Sequence, residues 1–161
     1  KLKRVYYSAF SPIPDSSAKL PLISPPLQRE HRLYQADWLL RFYDFQLDEI
    51  TSVTPDGNLD LHIDPKLAWA LAHREMFPLD VNRASQEMLL RVPGFGVKTV
   101  NRILSTRRHR SLRYEDLLRI GASMKKARAF VVAGGWTPGR LTDSVDLRAQ
   151  FAPPPEQLAL F

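Results

Sequence analysis

Residues 89–104 read LLRVPGFGVKTVNRIL, and the fold turns on how this stretch is read. In the run RASQEMLLRV that ends at Val92, Ala84, Met88 and Val92 share a helical face, and Asn82 is placed to cap the helix. Pro93-Gly94-Phe95-Gly96 ends it abruptly, and the spacing predicts a second helix from Val97 to Ser105 with Val100 and Leu104 on one side. Two glycines around one hydrophobic residue let the backbone turn tightly while Phe95 anchors the turn in a core. Such a turn leaves the N–H groups of Gly94, Gly96 and the second helix's first turn facing outward. Together with the positive helix end they form a site for a phosphate oxygen, and Lys98 adds a full charge. The competing reading is a plain glycine turn between packed helices.

Charge is distributed to match the first reading. The chain of 161 residues carries a net charge of +6. From Val81 to Arg140 there are 13 Lys/Arg and 3 Asp/Glu, a local balance of +10, which leaves −4 for the remainder. A concentrated basic block is the electrostatic footprint of a polyanion partner, although a solvated helix surface has the same composition. With 44% hydrophobic and 25% charged residues the chain is neither disordered overall nor membrane-spanning. Having no cysteine, it excludes disulfides, a thiolate zinc site, a cysteine-ligated iron–sulfur cluster and a cysteine nucleophile within these residues. His62, His73 and His109 have no partners at metal spacing, so no metal-binding histidines are expected.

The stretch LLRVPGFGVKTVNRIL resembles the helix-hairpin-helix motif of DNA repair and recombination proteins, which binds duplex backbone without reading sequence. The resemblance implies DNA contact through Gly94, Phe95, Gly96, Val97, Lys98, Thr99 and Arg102. It also implies a monovalent cation held by the carbonyls of Leu90, Val92 and Phe95. A weak internal repeat supports it: Leu89-Leu90-Arg91 recurs as Leu117-Leu118-Arg119, and Gly94…Lys98 as Gly121…Lys125. The second copy lacks the proline and has Ser123 for the second glycine, so it reads as a scaffold. Its Lys125 and Lys126 still lie within reach of a duplex, and the basic run Arg107-Arg108-His109-Arg110 between the copies adds phosphate contacts through Arg107, Arg108 and Arg110.

Ahead of this unit, Val5–Phe10 (VYYSAF) reads as a short strand, followed by a proline-punctuated arm. From Leu27 the residues Leu27, His31, Tyr34, Trp38, Phe42 and Phe45 recur at helical spacing and are expected to form a core-facing stripe. A turn over residues 54–58 separates this helix from the next. That one is capped by Asp64, opened by Pro65 and expected from Lys66 to Met76. The expected fold is mainly α: a tandem helix-hairpin-helix unit preceded by aromatic-rich helices and a short N-terminal strand remnant. The expected segments are a strand and Pro-rich arm at 1–26, aromatic helices at 27–78, the tandem unit at 79–136 and a tail at 137–161.

The phrases VYYSAFSPIP, PPLQREHRLYQADWLLRFYDF and DPKLAWALAHREMFPLDVNRAS, in that order, resemble the C-terminal part of a bacterial family of DNA modification/repair radical S-adenosylmethionine proteins. This resemblance implies that an N-terminal half, carrying an iron–sulfur cluster on three cysteines together with S-adenosylmethionine, is missing here. It implies that the present chain supplies DNA binding and no cofactor of its own, in a bacterial cytoplasm. The hairpin also looks like that of endonuclease-III-type glycosylases, in which the lysine at the position of Lys98 is a Schiff-base nucleophile and an aspartate lies downstream, here Asp116. A lone lysine at a helix start reads more simply as a backbone contact. A protein-interaction module built on the aromatic helices is a third reading. After a proline spacer, Gln157, Leu158, Leu160 and Phe161 resemble the peptide by which bacterial repair proteins dock into the sliding clamp.

Overall fold

The computed structural model describes residues 5–13, 19–20, 22–54 and 56–152. The fold is mainly helical, with seven α-helices and one two-stranded parallel sheet among the described residues. The clamp-like peptide at Gln157, Leu158, Leu160 and Phe161 lies outside them.

Helix α1 (Leu27–Phe42) packs on α3 (Pro65–Ala72), with the short α2 (Leu47–Thr51) completing the layer. The face of α1 that packs is Arg32, Ala36 and Leu39, not the aromatic stripe. Leu27, His31, Tyr34, Trp38 and Phe42 are exposed, and of that series only Phe45, beyond the helix end, is buried. The expectation that the stripe faces the core is thereby corrected. Periodicity marks an apolar face but not which of two faces docks. Here small Ala36 lets α3 approach, and Arg32 seals the contact by donating to the carbonyls of Asp60 (3.1 Å) and Leu61 (3.0 Å) and to Gln35 Oε1 (2.8 Å).

Val5–Phe10 forms no strand, because no other strand lies beside it to complete a ladder among the described residues. It is held on α1 by Tyr34: the Tyr7 N–H donates to the Tyr34 hydroxyl (3.0 Å) and that hydroxyl donates to the Tyr7 carbonyl (3.1 Å). Helix α3 begins as expected, with the Asp64 carboxylate accepting from Leu67 N–H (2.9 Å) and Pro65 in the first turn. It stops at Ala72, and a 3₁₀ turn covers Arg74–Met76.

Two helix pairs follow, each joined by a short turn: α4 (Gln86–Arg91) with α5 (Val97–Thr106), and α6 (Tyr114–Ile120) with α7 (Met124–Ala127). Ser85, not Asn82, caps α4, its hydroxyl accepting from Met88 N–H (3.2 Å). Asn82 instead bridges to Leu112, receiving its N–H at 2.7 Å and donating to its carbonyl at 3.1 Å. β1 (Leu79–Asp80) pairs in parallel with β2 (Val131–Val132), so the chain entering the first pair is stitched to the chain leaving the second. The core between the pairs holds Leu89, Val92, Phe95, Val100, Ile103, Leu117 and Phe130.

Candidate nucleic-acid interface

The turn between α4 and α5 takes its shape from three residues. Gly94 has φ +85°, a conformation that side chains disfavour. A Cβ there would also lie 2.6 Å from the Ser123 carbonyl oxygen, so glycine is required by packing as well as by torsion. The Gly94 carbonyl accepts from Ser123 N–H (3.1 Å), which locks this turn onto the turn of the second pair. Phe95 is buried, as expected, and its N–H closes the turn on the Val92 carbonyl (3.1 Å).

Gly96 is the N-cap of α5, and no side chain caps that end. The N–H groups of Gly96, Val97 and Lys98 have no backbone acceptor among the described residues, and α5 is ten residues long. A half-buried helix start with free donors is an anion site in its local chemistry. Lys98 is exposed beside it. Phe95 and Thr99 are buried, so any contact of theirs with a ligand runs through the backbone.

The other basic residues divide into two groups. Lys98, Arg108 and Lys125 are exposed and make no ion pair among the described residues. Arg102, Arg107, Arg110 and Lys126 are engaged within the protein. Arg102 donates to the Ile120 carbonyl (2.9 Å), and Arg107 to the carbonyls of Val81 (3.1 Å) and Ala84 (2.7 Å). Arg110 forks onto Asp116 (2.8 and 2.7 Å), and Lys126 pairs with Asp64 (2.7 Å). All four were expected at phosphates, and in this structure carbonyl ends and acidic side chains hold their cationic groups.

Asp116 caps α6. It accepts from Arg113 N–H (2.9 Å) at the start of α6, and the Arg110 hydrogen bonds pull its pKa down to about 2. Its two carboxylate oxygens are thus held by Arg110 and by that cap.

The cation expected on the carbonyls of Leu90, Val92 and Phe95 does not fit this turn. The Lys66 ammonium donates to the Phe95 carbonyl at 2.6 Å, and the Val92 carbonyl already receives Phe95 N–H. The Phe95 oxygen is thus already taken by the Lys66 amine, which occupies the side from which a cation would approach. Lys66 is buried, with its ammonium 4.6 Å from the centre of the Tyr43 ring. Burial lowers its pKa from 10.5 to about 7, with Asp64 opposing the shift and Lys126 adding to it. The sequence signal was thin: in PKLAWALA the lysine is the one charge in an otherwise apolar helix.

Lys66 lines a cleft of about 360 Å³ between α1 and the α4–α5 turn, walled also by Trp38, Tyr43, Gly96 and Lys126. Among the described residues no cluster of His, Asp or Glu could hold a metal ion, and no helix is long and apolar enough to cross a membrane. A cluster ligated by three cysteines has no ligands on this chain. Comparisons with family models, curated proteins and solved structures give no match.

Proposed function

We propose that the protein binds the phosphate backbone of DNA without reading sequence, through α4, the Val92–Gly96 turn and α5 acting as a helix-hairpin-helix. In this reading α6 and α7 form the scaffold copy, with Lys125 as an added backbone contact. The observation that carries the proposal is the uncapped start of α5, whose free donors stand beside Lys98 within the +10 block. Phosphate contacts position a protein on a duplex but carry no sequence information. A site made of backbone amides and lysines therefore suits a binder that must accept any sequence.

The wider setting rests on the resemblance to DNA modification/repair radical S-adenosylmethionine proteins. There this chain would hold DNA for a radical enzyme half, in a bacterial cytoplasm, with its terminal peptide in the sliding clamp. The Lys98 lyase alternative gains nothing from the site, because Asp116 is committed elsewhere.

The test is affinity for two duplexes of equal length and unrelated sequence. Wild type is expected to bind both alike, and Lys98→Ala to weaken both by the same factor. A loss confined to one sequence, or no loss at all, contradicts the assignment.

A further inference from the structure

Trp38 of α1 stands at the wall of the Lys66 cleft, beside the turn assigned to phosphate. Trp38 is 57% exposed, and Phe42 tilts against it with ring centroids 4.7 Å apart. An indole kept that far in water costs free energy unless a ligand covers it. One end of the same cleft is formed by Gly94, Phe95 and Gly96, so a strand held by its phosphate at α5 passes directly by Trp38.

We propose that this cleft is a binding site for an unpaired nucleobase of DNA, stacked on Trp38. The inference rests on the DNA-binding reading and adds a second element to it. Three features select a base over an apolar peptide. The cleft combines a flat π surface with polar groups on its wall, Lys66, Lys126 and Asp64, and an apolar helix lying there would take the Lys126–Asp64 pair (2.7 Å) out of water with no polar group of its own to offer it. A nucleotide brings its own phosphate. Its volume of about 360 Å³ is at the small end of ligand sites, which fits a planar ring system and its sugar.

The third feature is Gln35. Arg32 has no acceptor atoms, so its bond to Gln35 Oε1 (2.8 Å) fixes the amide orientation and leaves the amide nitrogen as the group offered to a ligand. A donor at the wall favours bases that present a carbonyl oxygen or ring nitrogen. Stacking itself tolerates every base.

The experiment compares a fully paired duplex with the same duplex carrying one looped-out thymine, using the whole chain. Wild type is expected to bind the looped-out duplex about tenfold more tightly, a stacking-sized preference. Trp38→Ala should remove that preference and leave affinity for the paired duplex unchanged, and Trp38→Phe should keep most of it. Because Trp38 is exposed, its removal leaves the core intact, and unaltered affinity for paired DNA reports that directly. Equal binding of the two duplexes by wild type overturns the cleft assignment while leaving the hairpin reading standing. Binding of the looped-out duplex alone supports the cleft and removes the hairpin reading. A preference that survives Trp38→Ala, or Trp38-dependent self-association in sedimentation, overturns the proposal and in the second case gives the surface to another copy of the chain.

Discussion

The ammonium of Lys66 stands 2.6 Å from the carbonyl oxygen of Phe95, so a residue of α3 holds the apex of the turn between α4 and α5. The link joins the aromatic layer to the candidate DNA site, and it places a largely buried lysine at the wall of the cleft. Its charge is costly, and that cost depends on pH.

The sign of the dependence follows from the two states. In the unfolded chain Lys66 keeps its proton up to about 10.5, whereas in the folded protein it loses it near 7. Between those values the unfolded state binds more protons, so stability rises with pH, by about 1.4 kcal/mol per unit at the steepest. Below the folded value both states are protonated and this slope vanishes. Urea midpoints from pH 6 to 9 should show the rise in wild type, and Lys66→Met should flatten it. An identical slope in both proteins contradicts the burial of an ionisable amine.

Gly94 and Gly57 both have positive φ, +85° and +69°, but only Gly94 has neighbours. Gly94→Ala must push Ser123 away and is expected to cost about 3 kcal/mol, against about 1 kcal/mol for Gly57→Ala, where strain acts alone. Thermal unfolding of the two variants measures the difference, and equal losses would remove the packing argument.

The basic residues should separate by how they are held. Lys98→Ala, Arg108→Ala and Lys125→Ala are each expected to reduce the salt slope of duplex binding by about 1. Arg107→Ala should leave that slope alone and instead destabilise the fold by about 1–3 kcal/mol, since it strands the carbonyls of Val81 and Ala84. A changed slope in Arg107→Ala would place its guanidinium on DNA after all.

Asp116 gives the acid limb. Its pKa of about 2 lies below the ordinary 3.8, so its contribution is complete above 3.8 and is lost as pH falls toward 2. Asp116→Asn should lose its share of the acid sensitivity, keeping that of Asp56 and Asp60, and be less stable than wild type at pH 6 with the gap closing as pH falls toward 2. Unchanged acid unfolding in the variant contradicts the Arg110 pairing.

Arg91 holds the layers together from the other side. It pairs with Glu49 at 2.9 Å and lies 4.8 Å from the centre of the Phe45 ring. Glu49→Gln removes the nearer of two counter-charges from a buried guanidinium, leaving the more exposed Glu87 at 3.3 Å, and about 1–3 kcal/mol of stability should go with it. Denaturant titration checks this, and a loss below 1 kcal/mol would mean solvent already screens the pair.

Local signals carried part of the fold and the shape of the turn at the candidate site. The Asp64-Pro65 helix start, the glycine turn at 94–96 and the burial of Phe95 follow from side-chain chemistry over a few residues. What escaped depends on partners far along the chain. The β1–β2 pairing joins two-residue strands whose register no local pattern encodes. The docked face of α1 was set by Ala36 and by Arg32 reaching the 60–61 loop, against a more conspicuous aromatic stripe. Lys66 was invisible for the same reason, since its acceptor is 29 residues away.

If the start of α5 with Lys98, and with them Arg108 and Lys125, neutralise DNA phosphates, the salt dependence of duplex affinity shows it most directly. With Lys98, Arg108 and Lys125 engaged, a plot of log affinity against log salt should fall with a slope of about −3, alike for duplexes of unrelated sequence. A slope near zero would contradict the claim.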